Sequence, residues 1–223
     1  MARIYDCDDR GELLEGLREA RARLARGEVI VMPTDTVYGV AADAFSHEGV
    51  RRLLEAKGRD RTAPPPVLVP DMATVEALAE TVPAPVRDAL IAFAPGPLTV
   101  ILPARPSLAW DLGETRGTVA LRIPQHDLAL ALLRETGPLA VSSANRHGEP
   151  AATTAAEAEA AIGDRLEVIL DGGPGLGEAS TILDATGLAA APPRPARIVR
   201  QGALSRERLA VVLGEWLAPA EDG

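Results

Sequence analysis

Residues 28–39 read EVIVMPTDTVYG, an apolar run that ends in a turn with several hydroxyl side chains. The run EVIVMP predicts a buried strand, because its apolar residues follow one another without polar alternation. The segment TDTVYGVAADAF, residues 34–45, is predicted to be a turn-rich continuation. Before it, leucines recur on one face of a helix predicted over residues 10–26, which Asp8 or Asp9 can cap. We expect this helix to pack on a sheet that contains the strand.

Downstream of this stretch, helical and strand-like segments alternate irregularly. Helices are predicted at about residues 47–56, 72–80, 84–92, 126–135, 153–163 and 205–217, and strands at about 67–69, 98–102, 118–124, 138–145, 167–173, 180–186 and 195–202. Several neighbouring strands lack the helix-length crossover that a parallel pair requires. The predicted fold class is therefore α/β, with a mixed sheet that is flanked by helices.

The composition is that of a folded protein with an acidic surface. The chain has 223 residues, is 47% hydrophobic and carries a net charge of −9. Aromatic residues make up 3%, so a stacking platform for single-stranded bases is not expected. The acidic balance also disfavours broad binding to nucleic acid or to an anionic membrane. Any site for phosphate must therefore be a local cluster of cations rather than a broad basic surface.

Cysteine content and the lack of a long apolar segment bear on the compartment. Cys7 is the only cysteine, which excludes an internal disulfide. The N-terminus lacks the pattern of a signal peptide, and no apolar run approaches the roughly 18 residues of a membrane span. We expect a cytoplasmic protein without a membrane segment. One domain is predicted over residues 1–205, followed by a C-terminal helix and polar tail over 206–223.

Two polar clusters lie in the first third of the chain. Thr34, Thr36 and Tyr38 offer uncharged hydroxyls that suit a small polar ligand, although the same residues also fit an ordinary capped turn. Lys57 and Arg59 follow the second predicted helix. They can complement its dipole without any ligand, or they can clamp phosphate. Three consecutive prolines after them favour the clamp, because a rigid loop loses little entropy on binding.

Two more clusters follow later strands. Arg122 ends one strand and a Ser-Ser-Ala-Asn turn follows another, so these groups meet if the two strands are neighbours; the turn alone is weak evidence. A glycine-rich segment, DGGPGLG, precedes the second cluster of hydroxyls and cations. It matches neither the P-loop nor the dinucleotide fingerprint, and loop flexibility also explains its glycines. The residues of these clusters that can contact a ligand are Arg122, Ser143, Asn145, Ser180, Thr181 and Arg197.

Other chemistries find no support in the sequence. The three histidines are scattered without the spacing of metal ligands, so no metal site is predicted. There is no Gly-x-Ser-x-Gly elbow, and Cys7 shows no sign of activation. The remaining pattern combines hydroxyls with cations and lacks a nucleophile, which is typical of nucleotide chemistry carried by positioning.

Taken in order, PTDTVYGVAADA, KGR, APGPLTVIL, TVALRIP, SSAN, DGGPG with STILD, and RIVRQG resemble the YrdC/YciO family, specifically its threonylcarbamoyl-AMP synthases. The resemblance covers about residues 10–205 and matches the short form of the family. It implies a single YrdC-like α/β domain, whose twisted mixed sheet is flanked by helices and bears a concave ligand cleft.

The resemblance also implies a reaction. L-threonine, bicarbonate and ATP, with Mg²⁺ accompanying the nucleotide, give threonylcarbamoyl-AMP and pyrophosphate. A threonylcarbamoyl transferase then uses the product to modify adenosine in tRNA. By the same resemblance, threonine is held by Thr34, Thr36, Tyr38, Ser180 and Thr181, and the nucleotide by Lys57, Arg59, Thr118, Arg122, Ser143, Asn145 and Arg197, of which Lys57 and Arg59 are also the expected catalytic residues.

The chain departs from the family pattern in two places. Leu68 stands where some members have a histidine that helps to hold threonine, and Ala151-Ala152-Thr153 stands where others have Ser-Pro-Thr. Two alternative functions remain open on the sequence. One is a YciO-like nucleotide-binding paralogue without this activity, and the other is a binding module for double-stranded RNA or the ribosome. Direct contact with tRNA is likewise left open.

Overall fold

A computed structural model describes residues 2–146 and 148–220 of the chain. The strands are β1 (Arg3–Asp6), β2 (Ile30–Met32), β3 (Gly39–Asp43), β4 (Val67–Leu68), β5 (Leu98–Pro103), β6 (Thr118–Arg122), β7 (Leu139–Ser143), β8 (Val168–Asp171), β9 (Thr181–Asp184) and β10 (Arg197–Arg200). The helices are α1 (Arg10–Ala25), α2 (His47–Lys57), α3 (Met72–Leu78), α4 (Ala84–Phe93), α5 (Asp127–Thr136), α6 (Ala155–Ile162) and α7 (Arg206–Leu213).

All ten strands form one mixed sheet. Their order is β1-β8-β2-β3-β7-β4-β6-β5-β9-β10. The pairs β1/β8, β2/β8, β4/β6 and β5/β9 are parallel, and the remaining neighbours are antiparallel. The predicted α/β class and mixed sheet are confirmed.

The prediction that residues 34–45 form only a turn-rich continuation is wrong. Gly39–Asp43 is β3, which pairs with β2 on one side and with β7 on the other. Its residues GVAAD are small, and glycine, alanine and aspartate are depleted in strands, so propensity gave no signal. Its position between β2 and β7 stabilises this segment, because the backbone N–H and C=O groups along both of its edges form hydrogen bonds.

Helices cover the two faces of the sheet unequally. Along β2, Ile30 and Met32 pack with α1 and α5 on one face, whereas Val31 belongs to the larger core on the other. That larger core takes apolar residues from α2, α3, α4, α6 and α7. On the α1 and α5 face, the packed cluster reaches β4 but includes no residue of β5, β6 or β9. This leaves a concave surface beside α5, over those strands.

The C-terminal helix packs on the domain. Leu209 and Leu213 of α7 join the larger core, and a single 3₁₀ turn, Gly214–Trp216, follows the helix. The helix is thus shorter than the predicted 205–217, because Gly214 ends it with a positive φ of 53°. The end of the predicted polar tail, residues 221–223, lies outside the described residues. Within the described ranges, no helix is long and apolar enough to cross a membrane.

Replacing Gly202 by alanine is expected to destabilise the protein by about 1–3 kcal/mol, because a Cβ here would overlap backbone. The added atom would lie 2.1 Å from the carbonyl oxygen of Ala179. Chemical denaturation measures the loss. Gly163→Ala is the matched control, because its nearest neighbour is the Glu159 side chain, which can move. Equal stability of the two variants would contradict the prediction.

Candidate functional site

A cavity of about 220 Å³ lies on the concave part of the sheet. Its floor comes from β4, β5, β6, β7 and β9, and its walls come from the loops after β2 and α2 and from the end of β10. The polar side chains around it are hydroxyls and cations: Thr34, Thr36, Tyr38, Thr99, Ser142, Ser143, Ser180, Arg59, Arg122 and Arg200. None of the described residues that line it carries a carboxylate. In a chain with a net charge of −9, this is a local concentration of positive charge suited to an anion.

A larger hollow of about 880 Å³ lies at the other end of β2 and β8. Its charges compensate one another, since Arg23 pairs with Glu28 at 3.0 Å and also with Glu167. Paired surface charges of this kind leave little net field for a ligand. We therefore place the functional site at the smaller cavity.

The turn after β2 presents Thr36 to the cavity. The Thr34 hydroxyl donates to the carbonyl oxygen of Val37 at 2.6 Å and accepts from the backbone N–H groups of Thr36 and Val37. Its single proton is therefore used to close the turn. The Thr36 hydroxyl accepts from Arg122 Nη1 at 2.8 Å and lies 3.0 Å from Thr34 Oγ1. Because the Thr34 proton is already used, Thr36 donates to Thr34 in this pair, and a ligand that accepts from Thr36 must replace that bond.

The Tyr38 hydroxyl points away from this turn. It lies 2.9 Å from Asp171 Oδ1 and 2.8 Å from the carbonyl oxygen of Gly173, in the loop after β8. Burial and the neighbouring Asp171 raise the pKa of Tyr38 above its usual range, so the hydroxyl stays protonated. Its contacts hold the glycine-rich loop against β3. The predicted threonine contact through this hydroxyl stays a prediction that the geometry does not favour.

Three guanidinium groups converge from separate elements. Arg59 follows α2, whose C-terminus is closed by Gly58 with a φ of 62°; Arg122 ends β6, and Arg200 ends β10. Burial lowers the pKa of Arg200, and the charges of Arg122 and Arg59 lower it further. The cations therefore lie close enough to repel one another. A bound anion relieves that repulsion, which makes the cluster a strong candidate for phosphate or carboxylate binding.

Arg200 and Ser180 are joined directly. The Arg200 guanidinium donates twice to the carbonyl oxygen of Ser180, at 2.8 and 3.1 Å, and once to its hydroxyl at 3.1 Å. The Ser180 hydroxyl also lies 2.8 Å from that of Thr99. Arg200 and Thr99 were not among the residues predicted from the sequence. The structure places both beside the predicted Ser180.

Lys57 is buried behind the cavity wall, with 1% of its surface exposed. Its ammonium donates to the carbonyl oxygens of Ser143, at 2.5 Å, and Asn145, and to Asn145 Oδ1 at 2.6 Å. Three protons thus meet three acceptors of one turn, a match that a planar guanidinium cannot reproduce. Burial and the charge of Arg59 lower the pKa of Lys57 to about 8. The group is placed to hold the turn rather than to reach a phosphate.

The remaining predicted residues lie off the cavity lining. Thr118 is four residues before Arg122 on β6, roughly 13 Å along the strand, and its hydroxyl donates to the Thr115 carbonyl. The Thr181 hydroxyl donates to the Leu204 carbonyl at 2.6 Å. The Arg197 guanidinium pairs with Asp184 at 3.4 Å on the surface. Their predicted ligand contacts stay predictions.

The described residues include no group of three or more histidine, cysteine, aspartate or glutamate side chains that could hold a metal ion. The donors around the cavity are hydroxyls and cations, which suit anions instead. Fold and site together therefore define an α/β protein whose sheet carries a cationic cavity of a kind that suits a small anionic ligand.

The chain belongs to the Sua5/YciO/YrdC family. The model of that family, which carries the description telomere recombination, matches residues 22–202. The resemblance seen in the sequence motifs is confirmed.

Three similar proteins illustrate the relationship. A Mycobacterium tuberculosis protein, named provisionally as a threonylcarbamoyl-AMP synthase, is 46% identical over 96% of both chains. The threonylcarbamoyl-AMP synthase of Bacillus subtilis is 39% identical, over 89% of this chain and 56% of its own length. The crystal structure of Pyrococcus abyssi Sua5 complexed with L-threonine superposes with a TM-score of 0.84 at 31% identity, covering 96% of this chain and 61% of that one.

Proposed function

We propose that the protein is an L-threonylcarbamoyladenylate synthase, a nucleotidyltransferase that converts L-threonine, bicarbonate and ATP into threonylcarbamoyl-AMP and pyrophosphate. The observation that carries the proposal is the convergence of Arg59, Arg122 and Arg200 on a hydroxyl-lined cavity in an acidic chain. The two groups that must meet, a carbamate and a triphosphate, are both anions. The names of the relatives support the same activity.

The chemistry requires positioning rather than a protein nucleophile. The threonine amine combines with bicarbonate to give a carbamate and water. A carbamate oxygen then attacks the α-phosphorus of ATP, and pyrophosphate leaves. The carbamate decomposes in water, so it must form beside the nucleotide. Holding the partners at attack distance can supply about 7–11 kcal/mol of the barrier.

We assign Arg122 to the amino-acid end of the cavity, although the sequence resemblance places it with the nucleotide. The Arg122 guanidinium bonds to Thr36, which the resemblance assigns to threonine. Its planar donors fit the α-carboxylate of an amino acid. Thr34 shapes the turn that carries Thr36, and Ser180 completes that end at its border with Arg200. Arg59 and Arg200 face the phosphates, where negative charge grows as pyrophosphate departs.

Mg²⁺ enters with the nucleotide in this proposal. The described residues around the cavity offer cations and hydroxyls rather than a carboxylate set, so the ion is held by the phosphates of its own ATP. The product serves a tRNA-modifying threonylcarbamoyl transferase, which places the enzyme in the cytoplasm.

Mass spectrometry of the purified protein with L-threonine, bicarbonate and Mg-ATP tests the proposal. We expect a threonylcarbamoyl adenylate peak and an equal amount of pyrophosphate, both lost when threonine or bicarbonate is omitted. Nucleotide binding without either product would overturn the proposal and favour the YciO-like alternative. An RNA complex stable at physiological salt, with no adenylate formed, would favour the binding module.

Arg200→Gln is expected to lower kcat/KM for ATP by about 10- to 100-fold, because it removes a charge-assisted donor from the cavity. Arg197→Gln is the matched control on the same strand, and we expect it to stay within about threefold of the parent, since surface changes have small effects. Pyrophosphate release measures both. The reverse ranking would show that the nucleotide lies along the outer end of β10.

A further inference from the structure

Asp35 lies between the two threonines of the turn after β2, and the sequence motifs assign it no role. It does not line the cavity. Its Oδ1 accepts from Arg122 Nη2 at 2.7 Å and from the backbone N–H of Gln125 at 3.0 Å. The side chains of Arg122 and Asp35 are only 7% and 9% exposed. A buried ion pair thus stands directly behind the cavity floor.

The Arg122 guanidinium is fixed at every nitrogen. Nε donates to the carbonyl oxygen of Gly96 at 3.0 Å, Nη1 to Thr36 Oγ1 at 2.8 Å and Nη2 to Asp35 Oδ1 at 2.7 Å. A guanidinium has five N–H donors, so two remain for a ligand, one on each terminal nitrogen. Their direction is set by the three bonds already made. Asp35 is the charged member of those three partners.

Asp35 also compensates part of the positive charge at the site. Among the described residues, Arg59 and Arg200 form no ion pair, and Asp35 is the carboxylate paired with Arg122. Without it, three cations would share the cavity wall uncompensated, and Arg122 would be free to turn toward other acceptors. The backbone of Asp35 is held as well, because its carbonyl accepts from the N–H of Leu176.

We propose that Asp35 is a positioning residue, whose carboxylate holds the Arg122 guanidinium in the orientation that receives the α-carboxylate of the amino-acid substrate. This inference rests on the proposed function. Asp35 touches no substrate and acts through Arg122. It therefore governs the affinity for the amino acid and leaves the affinity for ATP unchanged.

Steady-state kinetics of Asp35→Asn test the proposal, with pyrophosphate release as the signal. We expect the KM for threonine to rise between about 10- and 100-fold, the scale of a small misplacement at a site, while the KM for ATP stays within about twofold. Glu135→Gln is the matched control, because it removes a carboxylate from the surface pair with Arg21. It is expected to leave both KM values unchanged. An equal rise of both KM values in Asp35→Asn, or a threonine KM within twofold of the parent, overturns the proposal.

A second comparison remains decisive if Asp35→Asn does not fold. Arg122→Gln leaves the Asp35 carboxylate without its cation, whereas the double variant Asp35→Asn/Arg122→Gln removes both charges of the buried pair. If Asp35 acts through Arg122, their threonine KM values agree within about twofold. A further rise in the double variant overturns the inference. Failure of the proposed function is distinguishable, because then the parent protein itself shows no threonine-dependent pyrophosphate release.

Discussion

Replacing Arg59 by alanine is expected to lower kcat/KM by roughly 10²–10³, the scale of removing one transition-state donor. The side chain lines the cavity, forms no ion pair among the described residues, and its buried Nε has no hydrogen-bond partner there. Its donors are thus available to a ligand, and its removal breaks no hydrogen bond or ion pair among the described residues. We expect the free energy of unfolding to change by less than about 0.5 kcal/mol.

Arg61→Ala provides the control for this variant. Arg61 lies two residues further along the same loop, its side chain is 59% exposed, and it pairs with Asp111 at 2.6 Å. Its removal is expected to leave pyrophosphate release within about threefold of the parent, because surface positions have small effects. If Arg59→Ala and Arg61→Ala behave alike, Arg59 has no part in the reaction.

Replacing Lys57 by alanine is expected to lower kcat by roughly 10²-fold, the scale of a small misplacement at a site, because the turn that it holds contributes Ser143 to the cavity lining; it is also expected to destabilise the fold. The change leaves both buried oxygens of Asn145 without their lysine donor, while the Ser143 carbonyl keeps the N–H of Asn145 at 2.9 Å, and each buried unpaired group costs about 1–3 kcal/mol. Stopped-flow or coupled pyrophosphate assays measure the first effect. Thermal unfolding measures the second.

Lys57→Arg separates two roles that Lys57 could have, which are to hold the Ser143–Asn145 turn or to bind a phosphate. Arginine keeps the positive charge, but a planar guanidinium cannot direct three donors into one tight turn. We expect Lys57→Arg to lose activity and stability nearly as Lys57→Ala does. A phosphate ligand would behave differently, because Lys57→Arg would then retain most of its activity and Lys57→Ala would raise the KM for ATP without loss of stability.

Periodic apolar segments made most of the fold predictable from the sequence. The helices from Arg10 to Phe93 and the strands from Leu98 onward lie near their predicted places. Two strands gave no such signal. Arg3–Asp6 is too short for any periodicity, and Gly39–Asp43 consists of small residues. Their pairing partners decide their conformation, and those partners are distant in the sequence.

Residues of the candidate site could be predicted where a motif offered a single residue of the required type. Choosing between Arg197 and Arg200 required the structure. Arg197 lies opposite Asp184 and Ile198 opposite Leu183, but the register then shifts so that Arg200 lies opposite Ile182. This β-bulge turns Arg200 to the face of β9 that lines the cavity. A sequence pattern does not reveal a bulge.

Asp35 shows a second limit of motif reading. Its neighbours Thr34 and Thr36 offer hydroxyls of obvious use, whereas an aspartate in a site for anions has the wrong charge. The role of the carboxylate follows only from its ion pair with Arg122, which lies 87 residues later in the sequence. A residue that acts through a partner distant in the sequence can be identified only when the structure shows that partner beside it.

The order of the strands has a consequence for how the protein matures on the ribosome. Because β8 separates β1 from β2, and β9 and β10 complete the far edge, the N-terminal half cannot close its sheet alone. Domains dominated by such distant pairings fold slowly. A nascent chain stalled before residue 200 would lack Arg200 and an intact cavity. The cavity is thus complete only after the segment that carries Arg200 has been synthesised and has paired with β9.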